Sequence, residues 1–321
     1  MTMDLNKFKK IRALVLGDLM IDEYLWGEVD RISPEAPVPI VSVINETYTL
    51  GGAGNVINNL VAMGAGVSVV GTAGTGTAGR MMLDKFKELG VDAGGIIDEP
   101  DRPTTKKTRV IASNQQVLRI DKETKKEISS TTLTRLISFI TGVAPRVDLI
   151  IISDYDKGLV TRELVRQTVA IAKSHNILVL ADPKGLDFTK YSQVSVLTPN
   201  QKEAGIAAGI DIKTDHDLIQ AGLRIMASAC IERLVITCGR DGMMLLEQGK
   251  TPVRIASQAR QVFDVSGAGD TVISILGLAL AAGAGFEESA AIANAAAGIV
   301  VGKVGTATAS PDELELALKN E

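Results

Sequence analysis

Short apolar runs recur along the chain, and most of them end in a small or polar residue. Six of these runs have the length and composition of buried strands: Ala13–Leu16, Val67–Val70, Leu149–Ile152, Leu178–Leu180, Val194–Leu197 and Leu234–Ile236. Segments with helical apolar spacing lie between them: Asn55–Met63, Arg80–Leu89, Thr132–Thr141, Arg162–Ser174 and Asp215–Ala229. Because strands without a polar face alternate with helices, the pattern predicts an α/β fold whose mostly parallel sheet is covered by helices on both faces.

Polar residues follow these predicted strands at the same end. They are Asp18, Ser153-Asp154, Asp182, Asn200 and the turn Thr237-Cys-Gly239. Ligands of open α/β sheets bind beyond the carboxyl ends of the strands. We therefore expect the functional site at this edge of the sheet.

Two regions interrupt the strand–helix alternation. Residues 23–50 contain three prolines among alternating apolar positions, and residues 104–122 alternate in the manner of a β-hairpin. Together they predict a small β lid over the site. Such a lid suits a reaction from which water must be excluded.

Composition and charge narrow the function classes. The 321 residues are 45% hydrophobic but only 3% aromatic, so the core must be built mainly from aliphatic side chains. A net charge of -4 argues against non-specific nucleic-acid binding and against a basic membrane face. Two cysteines and two histidines do not suit a disulfide scaffold, a zinc site or a histidine-based triad. The longest apolar stretch, Thr271–Gly285, is too short to span a bilayer, and no targeting segment is visible, so we expect a cytoplasmic protein.

The most informative motif is Asp264-Val-Ser-Gly-Ala-Gly-Asp270-Thr, followed at once by the apolar run Val272–Ala282. Gly267 and Gly269 allow a tight turn, and the free N–H groups of the helix start can receive an anion. A carboxylate beside an anion site can accept a hydroxyl proton during phosphoryl transfer. The alternative interpretation is a glycine-rich helix start with an acidic cap.

A second glycine motif, Gly74-Thr-Gly76-Thr-Ala-Gly79, follows a predicted strand and precedes a predicted helix. Asp98 lies where the ribose-binding acid of a dinucleotide fold would lie, so an NAD-dependent oxidoreductase is an alternative. The sequence offers no paired His and Asp for hydride transfer. A flexible crossover loop accounts for the glycines equally well.

A third cluster runs from Gly51 through Gly52 and Gly54 to Gly64 and opens a predicted helix. Its glycines let a substrate hydroxyl approach the backbone, with Asn55 as donor and acceptor. Tight helix–sheet packing with Asn55 as a helix cap is an equally weighted alternative.

The two clusters Gly51–Gly64 and Asp264–Leu280 resemble the two signatures of the ribokinase/PfkB sugar-kinase family, in order and in separation. Asn200-Gln-Lys-Glu203 resembles the N-x-x-E motif of that family, and Thr237-Cys-Gly239 with Gly242 resembles its nucleotide-receiving turn. The resemblance covers essentially the whole chain. It implies a ribokinase-like three-layer α/β/α sandwich, with residues 1–321 as a single kinase domain and the lid at about 23–50 and 104–122.

Within the family the chain is similar to the D-glycero-β-D-manno-heptose 7-phosphate kinases of lipopolysaccharide-core synthesis. The segments that carry this likeness are Gly17–Asp22, Arg31–Pro39, Gln115–Asp121, Ser153–Gly158, Ala181–Lys184 and Leu197–Asn200. The likeness implies ATP-dependent phosphorylation of the anomeric hydroxyl to a 1,7-bisphosphate. Many relatives carry a C-terminal nucleotidyltransferase. This chain ends at Glu321 without one, so we expect that enzyme on another polypeptide, or its removal.

The resemblance also assigns roles to single residues. Asp270 would be the proton acceptor, and the N–H groups of Gly267, Ala268 and Gly269 would stabilise the transferring phosphoryl group. Asn200 and Glu203 would hold Mg²⁺ through water. The nucleotide would contact Thr237, Gly239, Gly242 and Asn294. The sugar would contact Asp22, Gly51, Gly52 and Asn55.

The remaining expectations concern ions and assembly. Candidates for the distal phosphate of the substrate are Lys106, Lys107, Arg109, Arg119, Lys157 and Lys184, with Arg109 and Lys184 placed first. Asp264 and Ser266, with carbonyls near 300–305, resemble a monovalent-cation site that would take K⁺. Exposed lid edges predict a homodimer.

Two departures from the family pattern are Gly54, where alanine is commoner, and Asp156, which adds a negative charge where a small residue is expected.

Overall fold

The computed structural model describes residues 3–99, 101–113, 115–259, 263–303 and 305–319. The strands are β1 (Arg12–Gly17), β2 (Leu19–Ile32), β3 (Pro39–Gly52), β4 (Gly66–Ala73), β5 (Asp92–Asp98), β6 (Thr105–Ala112), β7 (Gln115–Lys122), β8 (Leu149–Ser153), β9 (Leu178–Asp182), β10 (Val196–Leu197), β11 (Arg233–Thr237), β12 (Met243–Glu247) and β13 (Val253–Ile255). The α-helices are α1 (Ala53–Ala62), α2 (Thr77–Glu88), α3 (Ser130–Val143), α4 (Arg162–Ser174), α5 (Gln201–Ala208), α6 (Asp215–Ala229), α7 (Ala268–Ala281), α8 (Phe286–Val300) and α9 (Pro311–Lys319).

The larger sheet has the strand order β13-β12-β11-β10-β9-β8-β1-β4-β5 within the described residues. Its strands pair in parallel from β11 to β5, and β12 pairs antiparallel with both β11 and β13. Apolar side chains of β1 and β8 point alternately to two separate cores. One core contains residues of α1, α7 and α8, and the other contains residues of α3, α4 and α6. The predicted three-layer α/β/α sandwich with a mostly parallel sheet is confirmed.

The helices α4 and α6 have the bounds that the apolar spacing predicts, because polar N-caps mark their starts. Thr161 accepts a hydrogen bond from the N–H of Leu164, and Thr214 accepts one from Asp217. The predicted strand at Val194–Leu197 is shorter in the structure. The N–H of Val194 instead donates to Tyr191 in a turn, so that pairing with β9 and β11 begins at Val196.

The two regions that interrupt the alternation meet in a second sheet with the order β3-β2-β6-β7. The predicted hairpin is formed by β6 and β7, although its turn residue Asn114 lies outside the described residues. The strand β2 begins at Leu19, directly after β1, and is buried for its first five residues before it becomes exposed. The small sheet therefore extends outward from the carboxyl end of β1.

The glycine motif at 74–79 is a tightly packed crossover between β4 and α2. The N–H of Gly74 donates to the Thr104 hydroxyl at 2.8 Å, and a side chain at Gly79 would overlap the Gly74 carbonyl. These glycines are thus explained by backbone packing. In the part of the chain that the structure describes, no helix is both long enough and apolar enough to cross a bilayer.

Candidate active site

Asp270 lies in the first turn of α7 and is 5% exposed. Its Oδ2 accepts a hydrogen bond from Nδ2 of Asn55 at 2.8 Å, and its Oδ1 accepts one from the Tyr155 hydroxyl at 2.8 Å. Burial raises the pKa of Asp270 to about 6, and the nearby Asp22 adds to this, while the two donors oppose it. The carboxyl is therefore an ionisable group held close to the pH at which a general base works best.

The start of α7 presents free backbone donors beside this carboxylate. Gly267 is the N-cap and has a φ of 82°. Within the described residues, the N–H groups of Gly267 and Gly269 have no acceptor, whereas that of Ala268 donates to Val265 at 3.3 Å. A Cβ built at Gly269 would meet only open space. Two of the three N–H groups that were predicted to stabilise the transferring phosphoryl group are thus free to contact a ligand.

Asn55 joins α1 to α7 at the site. It is 1% exposed, and its Oδ1 is buried without a hydrogen-bond partner among the described residues. One turn further along α1, Asn59 accepts a hydrogen bond from the Thr271 hydroxyl at 3.0 Å. A buried, unsatisfied amide oxygen is costly, so its position beside Asp270 indicates a ligand that supplies a donor.

The small sheet contributes a second carboxylate. Asp22 on β2 forms an ion pair with Arg109 on β6, with 2.5 Å between Oδ1 and Nη1. A side chain at Gly51 would overlap Asp22 Oδ2, so glycine gives this carboxylate its space. Gly52, with a φ of 56°, turns the chain from β3 into α1. The Thr49 hydroxyl lies opposite Asp22 in the strand register and is buried without a partner in the described structure.

A cavity of about 410 Å³ opens on the other side of the α7 start. It is lined by Asn200, Thr237, Gly239, Arg240, Gly242, Met243, Ser257, Ala259, Val265, Ala268, Gly269, Val272, Asn294, Ala297, Gly298 and Val301. Five residues predicted for the nucleotide side therefore share one cavity with Ala268 and Gly269, two of the three predicted anion donors. Asn294 is held by its own hydrogen bond, since its Nδ2 donates to the Ala256 carbonyl at 2.7 Å.

Asn200 and Glu203 form a capping box at the start of α5. The N–H of Glu203 donates to Asn200 Oδ1 at 2.9 Å, and the N–H of Asn200 donates to Glu203 Oε2 at 3.1 Å. The second oxygen of Glu203 pairs with Lys184. The pair therefore has a structural role of its own. Its oxygens suit contact with a hydrated Mg²⁺ through water rather than direct ligation, because each already accepts a hydrogen bond.

Asp264 accepts hydrogen bonds from the N–H groups of Ser266 at 2.8 Å and Gly305 at 3.2 Å. Burial opposes its charge, but these bonds and the charge of Arg109 hold the pKa of Asp264 below its ordinary value. The N–H of Asp264 donates to the Val301 carbonyl at 3.3 Å, so this residue packs against the predicted carbonyl segment. A hard anionic oxygen suits a monovalent cation. Val304 within the predicted carbonyl segment lies outside the described residues.

The candidates for the distal phosphate differ in their partners. Ion pairs join Lys106 to Glu23, Arg109 to Asp22, Arg119 to Asp121, Lys157 to Glu123 and Lys184 to Glu203. Lys107 has no ion pair with any described residue. It lies two residues from Arg109 on β6, and therefore on the same face of the small sheet. Lys106 lies on the opposite face.

Asp156, one of the two departures from the family pattern, does not bring its negative charge into the site. The side chain is exposed and pairs with Lys125, while the N–H of Asp156 donates to Asp154. Its φ of 58° explains why a small residue is expected here. At Gly54, a Cβ would lie 2.8 Å from that of Leu50, so alanine would require a small shift.

Sequence reasoning did not assign roles to Tyr155 and Thr49. The triplet Ser153-Asp154-Tyr155 stands at a strand end, which is a signal for the neighbourhood of the site but not for contact with Asp270. Thr49 could have been found from alternation, because it shares the inner face of the small sheet with Asp22.

The fold occurs in sugar kinases of known structure. The ribokinase of Arabidopsis thaliana, solved with ribose and ATP, has a TM-score of 0.76 at 20% identity, covering 96% of this chain and 99% of that chain. The Escherichia coli phosphofructokinase-2, solved with potassium, has a TM-score of 0.79 at 19% identity and covers 97% of this chain and 98% of that chain. At these identities the likeness shows the fold alone.

Relatives found by sequence have a much higher identity to this chain than these solved structures have. The proteins named bifunctional protein HldE of Desulfatibacillum aliphaticivorans and Geobacter sulfurreducens are 52% and 49% identical to 99% and 95% of this chain. The chain spans 65% and 62% of their lengths, less than two thirds. The profile described as pfkB family carbohydrate kinase matches residues 10–313. Together with Asp270 at the glycine-rich helix start, this match shows that the chain belongs to the pfkB family of carbohydrate kinases.

Proposed function

We propose that this kinase uses ATP to phosphorylate the anomeric hydroxyl of D-glycero-β-D-manno-heptose 7-phosphate. The observation that carries a transfer reaction is the position of Asp270. It directly follows Gly269, whose free N–H adjoins the 410 Å³ cavity, and it lies near Asp22, which pairs with Arg109. The heptose assignment rests on the sequence segments shared with heptose 7-phosphate kinases, such as Arg31–Pro39. The alternative is that the chain is another PfkB-type kinase, acting on a different sugar or sugar phosphate.

The acceptor side follows from the buried polar groups. Asn55 contacts the carboxylate of Asp270, Asp22 lies near it, and the Thr49 hydroxyl lies opposite Asp22. This side of the site therefore offers a second carboxylate and two oxygens without partners among the described residues. Sugar hydroxyls are donors that satisfy such oxygens. Held there, the anomeric hydroxyl gives its proton to Asp270 while its oxygen bonds to the γ-phosphorus. The bond from that phosphorus to the bridging oxygen of ADP breaks, and ADP leaves with the electron pair.

Charge that develops on the transferring group is met by the N–H groups of Gly267 and Gly269 and by the dipole of α7. Mg²⁺ would neutralise negative charge on the phosphate oxygens. Asn200, which lines the cavity, and Glu203 would hold its waters. Because Lys184 pairs with Glu203, we assign Lys184 to this side of the site rather than to the distal phosphate. We further propose K⁺ beside Asp264 and Ser266, where it would fix the loop before α7.

For the distal phosphate we propose Lys107 together with Arg109. They lie on the face of the small sheet that carries Asp22, and Lys107 has no anionic partner among the described residues. A phosphate held by charged donors contributes more to binding than a sugar hydroxyl does.

A substrate panel tests the proposed acceptor. We expect heptose 7-phosphate to have a kcat/KM at least about 10²-fold above that of unphosphorylated heptose, because charge-assisted contacts to the distal phosphate are lost. Ribose and fructose 6-phosphate should also be poorer substrates in a coupled ADP-release assay. Lys107→Met should lower the preference for the phosphorylated sugar, and Lys106→Met is the matched control on the opposite face. A higher kcat/KM for ribose or fructose 6-phosphate would leave the kinase assignment intact and refute the acceptor.

A capping comparison tests the metal role of α5. We expect Asn200→Ala and Glu203→Ala to raise the Mg²⁺ concentration for half-maximal rate, and each to cost about 1 kcal/mol of stability through the lost cap. Thr214→Ala at the start of α6 removes the same kind of capping box away from the site. It should lower the melting temperature similarly without changing the Mg²⁺ dependence. If Mg²⁺ dependence is the same in all three variants, the pair serves only to cap the helix.

The surroundings of the reaction are proposed on chemical grounds. The sugar 1,7-bisphosphate would be consumed by a nucleotidyltransferase, and the reaction would take place in the cytoplasm where ATP is supplied.

We also propose a homodimer that pairs the small sheets, because β7 exposes Val117, Leu118 and Ile120 along an outer strand.

A further inference from the structure

Tyr155 contacts the reacting carboxylate, yet it belongs to none of the groups assigned above to sugar, nucleotide or phosphate. Its hydroxyl donates to Asp270 Oδ1 at 2.8 Å, opposite the Asn55 donor on Oδ2. Two donors on the two oxygens of one carboxylate fix the plane of that carboxylate. The lone pairs that remain are the ones an acceptor hydroxyl can use.

The backbone around Tyr155 is held in place before any ligand arrives. Asp18, which follows β1, accepts hydrogen bonds from the N–H groups of Tyr155 at 2.8 Å, Lys157 at 3.2 Å and Leu159 at 3.4 Å. Asp18 is 3% exposed, so this clamp is shielded from water. These hydrogen bonds fix the backbone of the loop, and the fixed backbone directs the Tyr155 hydroxyl toward Asp270.

The titratable and charged groups that face this pair come from several elements. They are Asp22 on β2, Arg109 on β6 through its ion pair with Asp22, and Asp182 at the end of β9. Burial and the neighbouring Asp270 raise the pKa of Tyr155 well above its usual range. Tyr155 thus stays protonated at working pH and can only donate to the carboxylate.

We propose that Tyr155 is a positioning residue of the transfer reaction, whose hydroxyl orients the Asp270 carboxylate and keeps it ionised for the acceptor hydroxyl. The inference rests on the proposed function, because it assumes that Asp270 is the base. Asn55 orients the same carboxylate but also offers its Oδ1 to the sugar. Tyr155 acts on the base alone.

The pH profile of Tyr155→Phe tests this role. Removing a donor to the charged form raises the pKa of Asp270, so the acidic limb of kcat/KM should move to higher pH by about one unit. KM for ATP should stay within about twofold of wild type, and kcat should recover toward wild type at high pH. The substrate phosphate titrates identically with every variant, so a difference between variants belongs to the enzyme.

Two further variants make the result decisive. Site-specific 3-fluorotyrosine at position 155 keeps the shape but is a stronger donor, so the limb should move to lower pH. Tyr191→Phe is the matched control, because Tyr191 donates to Asp154 instead of to Asp270 and should leave the limb in place.

An acidic limb that stays at the wild-type pH in both position-155 variants overturns the inference. If Tyr155→Phe does not fold, the fluorotyrosine variant decides alone, and an unmoved limb again refutes the role. Failure of the proposed function looks different: Asp270→Asn would then retain turnover. In that case Asp270 is not the base, whatever the position-155 variants show.

Discussion

Replacing Asp270 with asparagine is expected to lower kcat by about 10²–10⁴-fold, the usual contribution of a positioned general base. The amide keeps the shape of the side chain and removes the proton acceptor that lies between Asn55 and Tyr155. ATP binding, measured by calorimetry, should change little because the cavity wall is formed by other side chains. The assay is ADP release with heptose 7-phosphate at saturating Mg²⁺.

The same variant should not lose stability at neutral pH. The pKa of Asp270 is about 6 in the folded protein, against 3.8 for a free aspartate. A raised pKa means that this group contributes stability below about pH 3.8 which is lost as the pH rises through about 6. At pH 7 the neutral asparagine avoids that loss, so its melting temperature should equal or exceed that of wild type.

Asp156→Asn is a suitable control for the base, because this exposed carboxylate lies at the same sheet edge but pairs with Lys125. It should retain turnover within about twofold. Retention of more than about a tenth of wild-type turnover by Asp270→Asn would rule Asp270 out as the base.

Alanine at Gly267 is expected to lower kcat by at least about tenfold and to destabilise the fold by about 1–3 kcal/mol. The φ of 82° strains any residue with a Cβ, and that Cβ would overlap Nδ2 of Asn55. The hydrogen bond from Asn55 to Asp270 would then be displaced. Thermal unfolding and steady-state rates measure the two effects separately.

Gly269→Ala is the matched comparison two residues further along. Its Cβ meets nothing within 4 Å, and alanine is the better helix former, so stability should be unchanged or slightly higher. The added methyl group enters the space expected for the phosphates and should raise KM for ATP. Equal losses of stability and of kcat in both variants would show that this helix start has no special role in anion binding.

Much of this arrangement could be predicted from the sequence because it depends on local rules. The bounds of α4 and α6 follow from apolar spacing and threonine caps, and the hairpin of β6 and β7 follows from alternation. The cavity residues Thr237 and Gly242 were found through a family motif. Each of these signals is contained in a few consecutive residues.

Contacts that depend on distant segments could not be predicted in the same way. Tyr155 and Asp270 are separated by 115 positions and meet only because β8 and α7 pack at the same sheet edge. The capping box of Asn200 and Glu203 is a local contact and was missed for another reason, since the same two residues satisfy both the metal motif and the cap. The ion pairs of Lys106 with Glu23 and of Arg109 with Asp22 follow from the register of β2 and β6, which composition does not determine.

The continuity of β1 into β2 has a mechanical consequence. The backbone leaves the core at Gly17, passes Asp18 and becomes the inner strand of the small sheet within two residues. Asp18 also accepts hydrogen bonds from the N–H groups of the loop that carries Tyr155. If the small sheet rotates about this connection when sugar binds, Asp18 and the loop that it holds turn with it. Sugar binding and alignment of the proton acceptor would then be coupled.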